Sequence, residues 1–288
     1  SPEGELQVAG PYIARYLDDI DLDDPGAQVR QAAEERWLPT GDLFHRRPGG
    51  HLEIVDRIKD IYKNKRGQTV APQRVEQKFL GVPGVRRAFL VGDGREDNVL
   101  LVVPDRADPV AAALGSDEAL LDYCRQLAAA ANRALAPPER VVEVALLPRD
   151  FEEARGELTP KGSYRRKAIE ANFADVIAGL YRGQPEVRIP GGPRVRVPRW
   201  LLRDLGLLES DLSAGPLGVR LGGVELRIGP GSAPGRLRIG DLTYQVDSEV
   251  ADLGTLAQQP RLWLGNAGLA VALPCRPGWD RPLAPYGE

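Results

Sequence analysis

Apolar and polar positions follow two different rhythms in this chain. From Pro72 to Leu180 apolar runs of strand length alternate with stretches of helical spacing. Leu52 to Val55 predicts a short strand after the turn Pro48-Gly49-Gly50, and Pro72 to Leu80 predicts a helix with Val75 and Phe79 on one side. Val85–Val91 and Val99–Val103 predict two strands, joined by a loop that opens on Gly92-Asp93-Gly94. Ser116 is the expected N-cap of a long helix, with Asp117 and Glu118 in its first turn where the helix dipole favours negative charge. That helix runs through Ala134 and is stopped by Pro137-Pro138; a strand at Val141 to Leu147 and a helix from about Tyr164 to Leu180 follow. The order is that of an α+β unit. Further on, period two dominates: Val195 to Val197, Val224 to Ile228, Leu237 to Ile239 and Leu242 to Val246 each alternate apolar with polar residues, as half-buried antiparallel strands do. An amphipathic helix at Trp200 to Leu208 interrupts them, and the expectation is a small β-rich barrel or sandwich.

Residue usage supports a boundary between the two rhythms. Every lysine lies at or before Lys167, and beyond it the cations are arginines. Gly183-Gln184-Pro185 and Pro190-Gly191-Gly192-Pro193 supply the turn-forming residues expected of a linker, so the boundary is set near 183. With 288 residues, 42% of them hydrophobic and 27% charged, the chain has room for more than one ordinary domain and is no disordered polymer. No stretch has the ~20 apolar residues of a membrane span, and the first residues lack a signal peptide's basic and apolar parts, so the chain is placed in the cytoplasm. A net charge of -3 gives no global field for nucleic acid, and none is expected as a partner. Methionine is absent even at the first position, which fits a fragment of a longer product or a sequence with residues left out. Cys124 and Cys275 match no metal or redox spacing, and Cys124 reads as a core residue. His45 and His51 flank a turn at no metal-ligand spacing; no metal ligand is assigned in the chain.

Chemistry concentrates in Trp37-Leu38-Pro39-Thr40-Gly41-Asp42-Leu43 and Asp56-Arg57-Ile58-Lys59-Asp60. A carboxylate beside a glycine can accept hydrogen bonds from both hydroxyls of a ribose, and a nearby guanidinium can hold the same sugar or its phosphate. The plainer alternative is that Gly41-Asp42 is a turn and Asp56-Arg57 an exposed ion pair.

These blocks, with Gly4 to Val8 before them, Gly50 to Val55 between them and Gly67-Gln68-Thr69-Val70-Ala71-Pro72-Gln73-Arg74-Val75-Glu76 after them, resemble the carboxyl-terminal part of the AMP-forming adenylating enzymes. Tyr62-Lys63-Asn64-Lys65, Val70 to Gln73 and Ala178-Gly179-Leu180-Tyr181 are most similar to the long-chain fatty acyl-CoA ligase branch. The resemblance spans about residues 4 to 181. It implies the tail of a large adenylate-binding domain at 1–57 and a mobile α+β lid at 58–183; the β-rich pattern at 184–288 lies beyond the family's usual end and is read as an appended domain. It also implies that Asp42 binds the ribose of ATP and of the acyl-adenylate, that Arg57 assists, and that Lys59 is the hinge about which the lid rotates between adenylation and thioester formation. Gly67 would pass close to the pantetheine arm of coenzyme A, and Lys63 matches a lysine that faces the site in the thioester-forming state.

The last motif of the resemblance departs from the family pattern. In Leu158-Thr159-Pro160-Lys161-Gly162-Ser163-Tyr164-Arg165-Arg166-Lys167 the usual lysine position is held by Ser163, whose hydroxyl cannot replace an ammonium opposite developing negative charge. Lys161 is the candidate replacement; otherwise it is a solvated loop lysine. The phosphate loop and magnesium glutamate of the family are not recognisable in the sequence. The implied function is therefore a carboxyl-terminal fragment of an ATP- and Mg2+-dependent ligase that joins a fatty acid or other carboxylic acid to coenzyme A, not active alone. The alternative is a degenerate lid whose appended domain binds a protein or lipid. Arg188, Arg194, Arg196, Arg220, Arg227, Arg236 and Arg238 could form a basic face there, but with Glu225, Asp241, Asp247 and Asp252 interleaved a solubilising role is favoured.

Overall fold

Strands β1 (Glu3–Val8), β2 (Leu38–Arg46) and β3 (Leu52–Arg57) form an antiparallel sheet in that order. They belong to the first of two packing units, Ser1–Ile61, in a computed structural model that describes residues 3–9, 37–233, 235–246, 250–263 and 265–273. Gly41-Asp42 is not a turn. Two steps along β1, from Glu5 to Gln7, face four along β2, from Leu43 to Pro39, and the excess is a bulge with Gly41 at φ +75°. Only glycine adopts that backbone without strain, and the extra residues re-aim the side chains beside it.

The second unit, Tyr62–Glu288, starts with a hairpin of β4 (Tyr62–Lys63) and β5 (Thr69–Val70), then α1 (Pro72–Glu76), which a 3-10 turn extends to Phe79. A three-stranded sheet follows: β6 (Val85–Val91) runs antiparallel to β7 (Asn98–Pro104), and β7 runs parallel to β8 (Val141–Leu146). The crossover between β7 and β8 holds α2 (Pro109–Leu114) and α3 (Asp117–Asn132), the latter capped by Ser116, whose side chain accepts from Ala119 N at 3.1 Å. Every residue of β7 is buried, because both faces of the sheet are covered. Leu100 and Val102 pack with Leu120, Cys124 and Ala128 of α3. Val99, Leu101 and Val103 pack instead with Ile169, Phe173 and Ile177. Ile169 lies on α4 (Arg166–Asn172), Ile177 on α5 (Ala174–Leu180) and Phe173 between them, where one continuous helix was expected. Phe173 breaks it at φ −112° and sets its ring edge-on to Phe151 at 5.8 Å, a tertiary cause that no glycine or proline announces.

Past residue 183 the chain turns back on itself. Pro190 to Pro193 is not a linker but the tip of a hairpin between β9 (Glu186–Arg188) and β10 (Arg194–Arg196), with Gly192 N donating to Ile189 O at 3.0 Å. Helix α6 (Arg199–Leu205) ends at Gly206 in the left-handed conformation, earlier than Leu208 as expected. Strands β11 (Leu212–Ala214), β12 (Gly218–Leu221), β13 (Val224–Pro230), β14 (Arg236–Ile239) and β15 (Leu242–Gln245) form one antiparallel meander in sequence order. β16 (Val250–Asp252) joins β10 in parallel, and α7 (Leu253–Gln258) and α8 (Ala267–Ala272) complete the layer over Val195, Trp200, Leu226 and Ile239. Of the expected barrel or sandwich, no closed barrel is formed among the described residues: the meander is an open sheet.

Candidate functional site

The bulge and the β2–β3 register bring Asp42 directly opposite Arg57. Arg57 Nε lies 3.6 Å from Asp42 Oδ1, beyond a direct hydrogen bond, with the two side chains 50% and 29% exposed. Among the described residues nothing donates a hydrogen bond to the Asp42 carboxylate, and the guanidinium of Arg57 has no other partner. A half-exposed pair of this kind contributes at most about 1 kcal/mol to stability. What it offers is unused capacity, two acceptor oxygens and several N–H donors on one edge of a sheet. The neighbouring Asp56, fully buried, is engaged differently: its Oδ1 accepts from Arg57 N at 2.7 Å and steadies the backbone under the pair.

Lys59 lies exposed in the turn that ends this sheet. Ile58 N donates to Gly41 O at 2.8 Å and Asp60 N to Arg57 O at 2.9 Å, so β2 still holds the chain at Ile58. The first packing unit closes at Ile61, two residues past Lys59.

Lys63 and Gly67 share the β4–β5 hairpin. Its turn is organised by the buried Asn64, whose Oδ1 accepts from Arg66 N and Gln68 N at 3.0 and 2.9 Å. Gly67 takes φ +76°, and no atom stands within 4 Å of where a Cβ would be, so in this structure the backbone conformation, not crowding, calls for glycine. Tyr62 anchors the hairpin by donating from its buried hydroxyl to Asn98 Oδ1 at 2.8 Å.

Lys161 stands exposed at the tip of a second tight hairpin, closed by the Leu158–Tyr164 bridge. Gly162, at φ +79°, donates to Thr159 O at 2.7 Å, and Ser163 N donates to Thr159 Oγ1 at 3.1 Å. The root of the hairpin is held by groups that the sequence reading did not single out. Glu157, wholly buried, accepts a bidentate pair of bonds from Arg149 at 2.6 and 2.7 Å, one from Glu152 N at 2.8 Å and one from Asn172 Nδ2 at 2.9 Å. The Arg149 fork, aided by those donors, outweighs burial and holds the Glu157 carboxyl down at about 2. On the other side Arg166 pairs with Glu76 and lies 4.6 Å over the Phe89 ring, while Tyr164 OH donates to Ala88 O. No motif spacing marks these residues; they meet only because β6, α1 and α4 pack together.

The structure thus joins Asp42 with Arg57, and Lys63 with Gly67, and sets Lys161 on its own hairpin. None of these residues lines the open cavity of about 580 Å3 bounded by Arg125, Glu143, Arg182, Arg199 and Glu209, where Arg125 pairs with Glu143 and Arg199 with Glu209. Among the described residues no group of three or more His, Cys, Asp or Glu could hold a metal ion, and no helix is long and apolar enough to cross a membrane.

Residues 59–185 match the family model described as the AMP-binding enzyme C-terminal domain. A protein of Mycobacterium tuberculosis named a fatty-acid–CoA ligase is 28% identical over 202 residues, covering 65% of this chain and 35% of its own. The peroxisomal long chain acyl-CoA synthetase 6 of Arabidopsis thaliana is 30% identical over 199 residues, covering 63% of this chain and 27% of its own. The chain therefore spans about a third or less of the curated relatives it matches, at their carboxyl-terminal part. The adenylation domain of a carboxylate reductase from Mycobacterium chelonae superposes with a TM-score of 0.50 at 22% identity, over 63% of this chain and 28% of that one, which shows a shared fold.

Proposed function

We propose, from the match of residues 59–185 to the AMP-binding enzyme C-terminal domain, that the chain is the carboxyl-terminal part of an ATP-dependent ligase that activates a fatty acid and passes it to coenzyme A. The observation that carries this reading is the Asp42–Arg57 pair, with unfilled hydrogen-bonding capacity, two residues before the exposed turn at Lys59. Asp42 accepts the O–H donors of the adenosine ribose, and Arg57 points N–H groups at the same sugar or its phosphate. The substrate carboxylate attacks the α-phosphorus, pyrophosphate leaves, and the Lys161 ammonium meets the negative charge that gathers there. Its place at a glycine-supported hairpin tip, free of any ion pair among the described residues, supports Lys161 over Ser163 for this role. A few residues about Lys59 then absorb the rotation that brings the Lys63–Gly67 hairpin to coenzyme A, whose thiol attacks the acyl carbon as AMP departs. Magnesium, which would neutralise the triphosphate, would be held by residues of the large domain outside this sequence.

The test uses the longer protein. Losing a hydrogen bond to a charged acceptor costs about 1.5–3 kcal/mol, so Asp42→Asn should weaken AMP binding roughly tenfold to a hundredfold by calorimetry, without loss of fold. Lys161→Ala should abolish pyrophosphate release from ATP and a fatty acid while Ser163→Ala leaves it intact. Unchanged nucleotide affinity in Asp42→Asn sinks the reading of the pair, and release surviving in Lys161→Ala sinks that of the hairpin. The 288-residue chain alone should release no pyrophosphate.

A further inference from the structure

The open meander β11–β15 has two faces of opposite character. Val219, Leu221, Leu226, Ile228 and Ile239 turn inward and are buried. Alternation then sets Arg220, Arg227, Arg236 and Arg238 on the other face, and all four are exposed. Register leaves the space between them bare: Gly218 stands opposite Arg227, and Gly229 opposite Arg238. Among the described residues none of these four guanidinium groups has an ion pair, whereas Arg194 and Arg196 pair with Glu186, and Arg199 with Glu209.

The described acids interleaved with them in sequence accept hydrogen bonds from backbone N–H groups, and Glu225 shares the face of the arginines. Asp252 caps α7 through Gly254 N at 2.8 Å, and Asp241 accepts from Gly268 N at 2.7 Å. Glu225, across from Arg220 in register, accepts from Leu217 N at 2.8 Å; Asp247 lies outside the described residues. What remains, beside Glu225, is a set of four cations without an ion pair among the described residues, on adjacent strands and spaced roughly 5–8 Å apart.

We infer that this face of the β11–β15 sheet is an electrostatic docking surface for an anionic lipid bilayer. A protein partner would call for an apolar centre with aromatic anchors, and the face presents none among the described residues. A single-stranded nucleic acid would call for stacking rings, and the sheet's Tyr244 is turned inward, its hydroxyl donating to Leu262 O at 2.6 Å. A free phosphate or the phosphates of coenzyme A would call for enclosing walls, which one face of an open sheet does not supply. Unpaired arginines in a plane match a plane of anionic headgroups, each contributing roughly fivefold to partitioning. The inference is independent of the adenylation reading: it concerns residues beyond the matched domain, which ends at 185.

Co-sedimentation of the full chain with vesicles tests it. The chain should bind vesicles of phosphatidylserine and phosphatidylcholine at about 0.05 M salt, release at about 0.5 M, and ignore pure phosphatidylcholine. Replacing Arg220, Arg227, Arg236 and Arg238 together by Gln should reduce binding about a hundredfold or more with an unchanged thermal melt, while Arg194→Gln with Arg196→Gln changes it less than about twofold. Should the fourfold variant fail to fold, Arg227→Gln and Arg238→Gln singly should each lower binding about fivefold. Absence of binding to anionic vesicles, equal binding to neutral ones, or undiminished binding by the variants overturns the inference. So does duplex DNA or polyglutamate binding through these arginines without vesicle binding.

Discussion

Replacing the buried Glu157 by Gln removes one negative charge and keeps the side chain's shape, which makes it the sharpest probe of how the Lys161 hairpin is held. Four donors converge on that carboxylate from Arg149, Glu152 and Asn172. Its proton affinity reports their combined strength: an ordinary value of 4.5 falls to about 2, and at 1.36 kcal/mol per unit the charged form is favoured in the folded chain by about 3 kcal/mol. The depressed value fixes the sign. The contribution is complete above pH ~4.5 and is lost as pH falls from there through ~2. Urea unfolding followed by circular dichroism should therefore show Glu157→Gln less stable than the parent by about 3 kcal/mol at pH 7, with the gap narrowing at pH 3. Amide exchange should quicken at Thr159, Gly162 and Arg165, whose backbone N–H groups hold the hairpin together. A variant with the parent's unfolding midpoint across this range, or with hairpin amides as protected as before, would refute the assignment of Glu157 as the root of the hairpin.

Two further outcomes follow from buried groups. Burial, opposed by Arg203 and aided by Glu96, lifts the Asp97 carboxyl from 3.8 to about 6, so its ionised form costs the folded state stability above pH ~6 and costs nothing below ~4. Asp97→Asn should accordingly raise stability at pH 8 by up to about 3 kcal/mol and leave it unchanged near pH 4; destabilisation at pH 8 would contradict this. Cys124 is wholly buried against α3's neighbours and its thiol is pushed up to about 11 by burial, so mass spectrometry should find it unmodified by iodoacetamide in the folded chain at pH 8 and modified after unfolding.

Local signals were legible wherever the cause was local. The Ser116 cap and the β6 and β7 runs follow from rules that act within a few residues, and the structure has each of them. Asp42 and Arg57 were legible as chemistry but not as geometry: the glycine beside Asp42 marks a bulge inside a strand, where a turn was the ordinary alternative. The helix break at Phe173 and the four donors around Glu157 were not legible, because each depends on which elements pack together. The proline-glycine run at 190–193 misled for a related reason, since the same residues serve a tight hairpin and a linker equally well.

The contacts across residue 183 bear on how the proposed rotation would act. Arg140 donates to Asp204 O at 2.7 Å, Arg203 to Glu96 O at 3.1 Å and Arg199 to Gly183 O at 3.0 Å, and Leu208 is buried in the same apolar cluster as Cys124 and Leu120. Arg199 and Arg203 are themselves 6% and 3% exposed, and to pull either cation from these carbonyls would leave buried donors and acceptors unmatched. The segment from 199 to 209 is therefore bound to the β6–β8 sheet's unit by groups that are costly to separate, and the packing unit that opens at Tyr62 extends through both. A swivel at Lys59 would then carry the arginine face of the meander together with the Lys161 hairpin. If that face rests on a bilayer, the membrane restrains the same body whose rotation the ligase cycle would require.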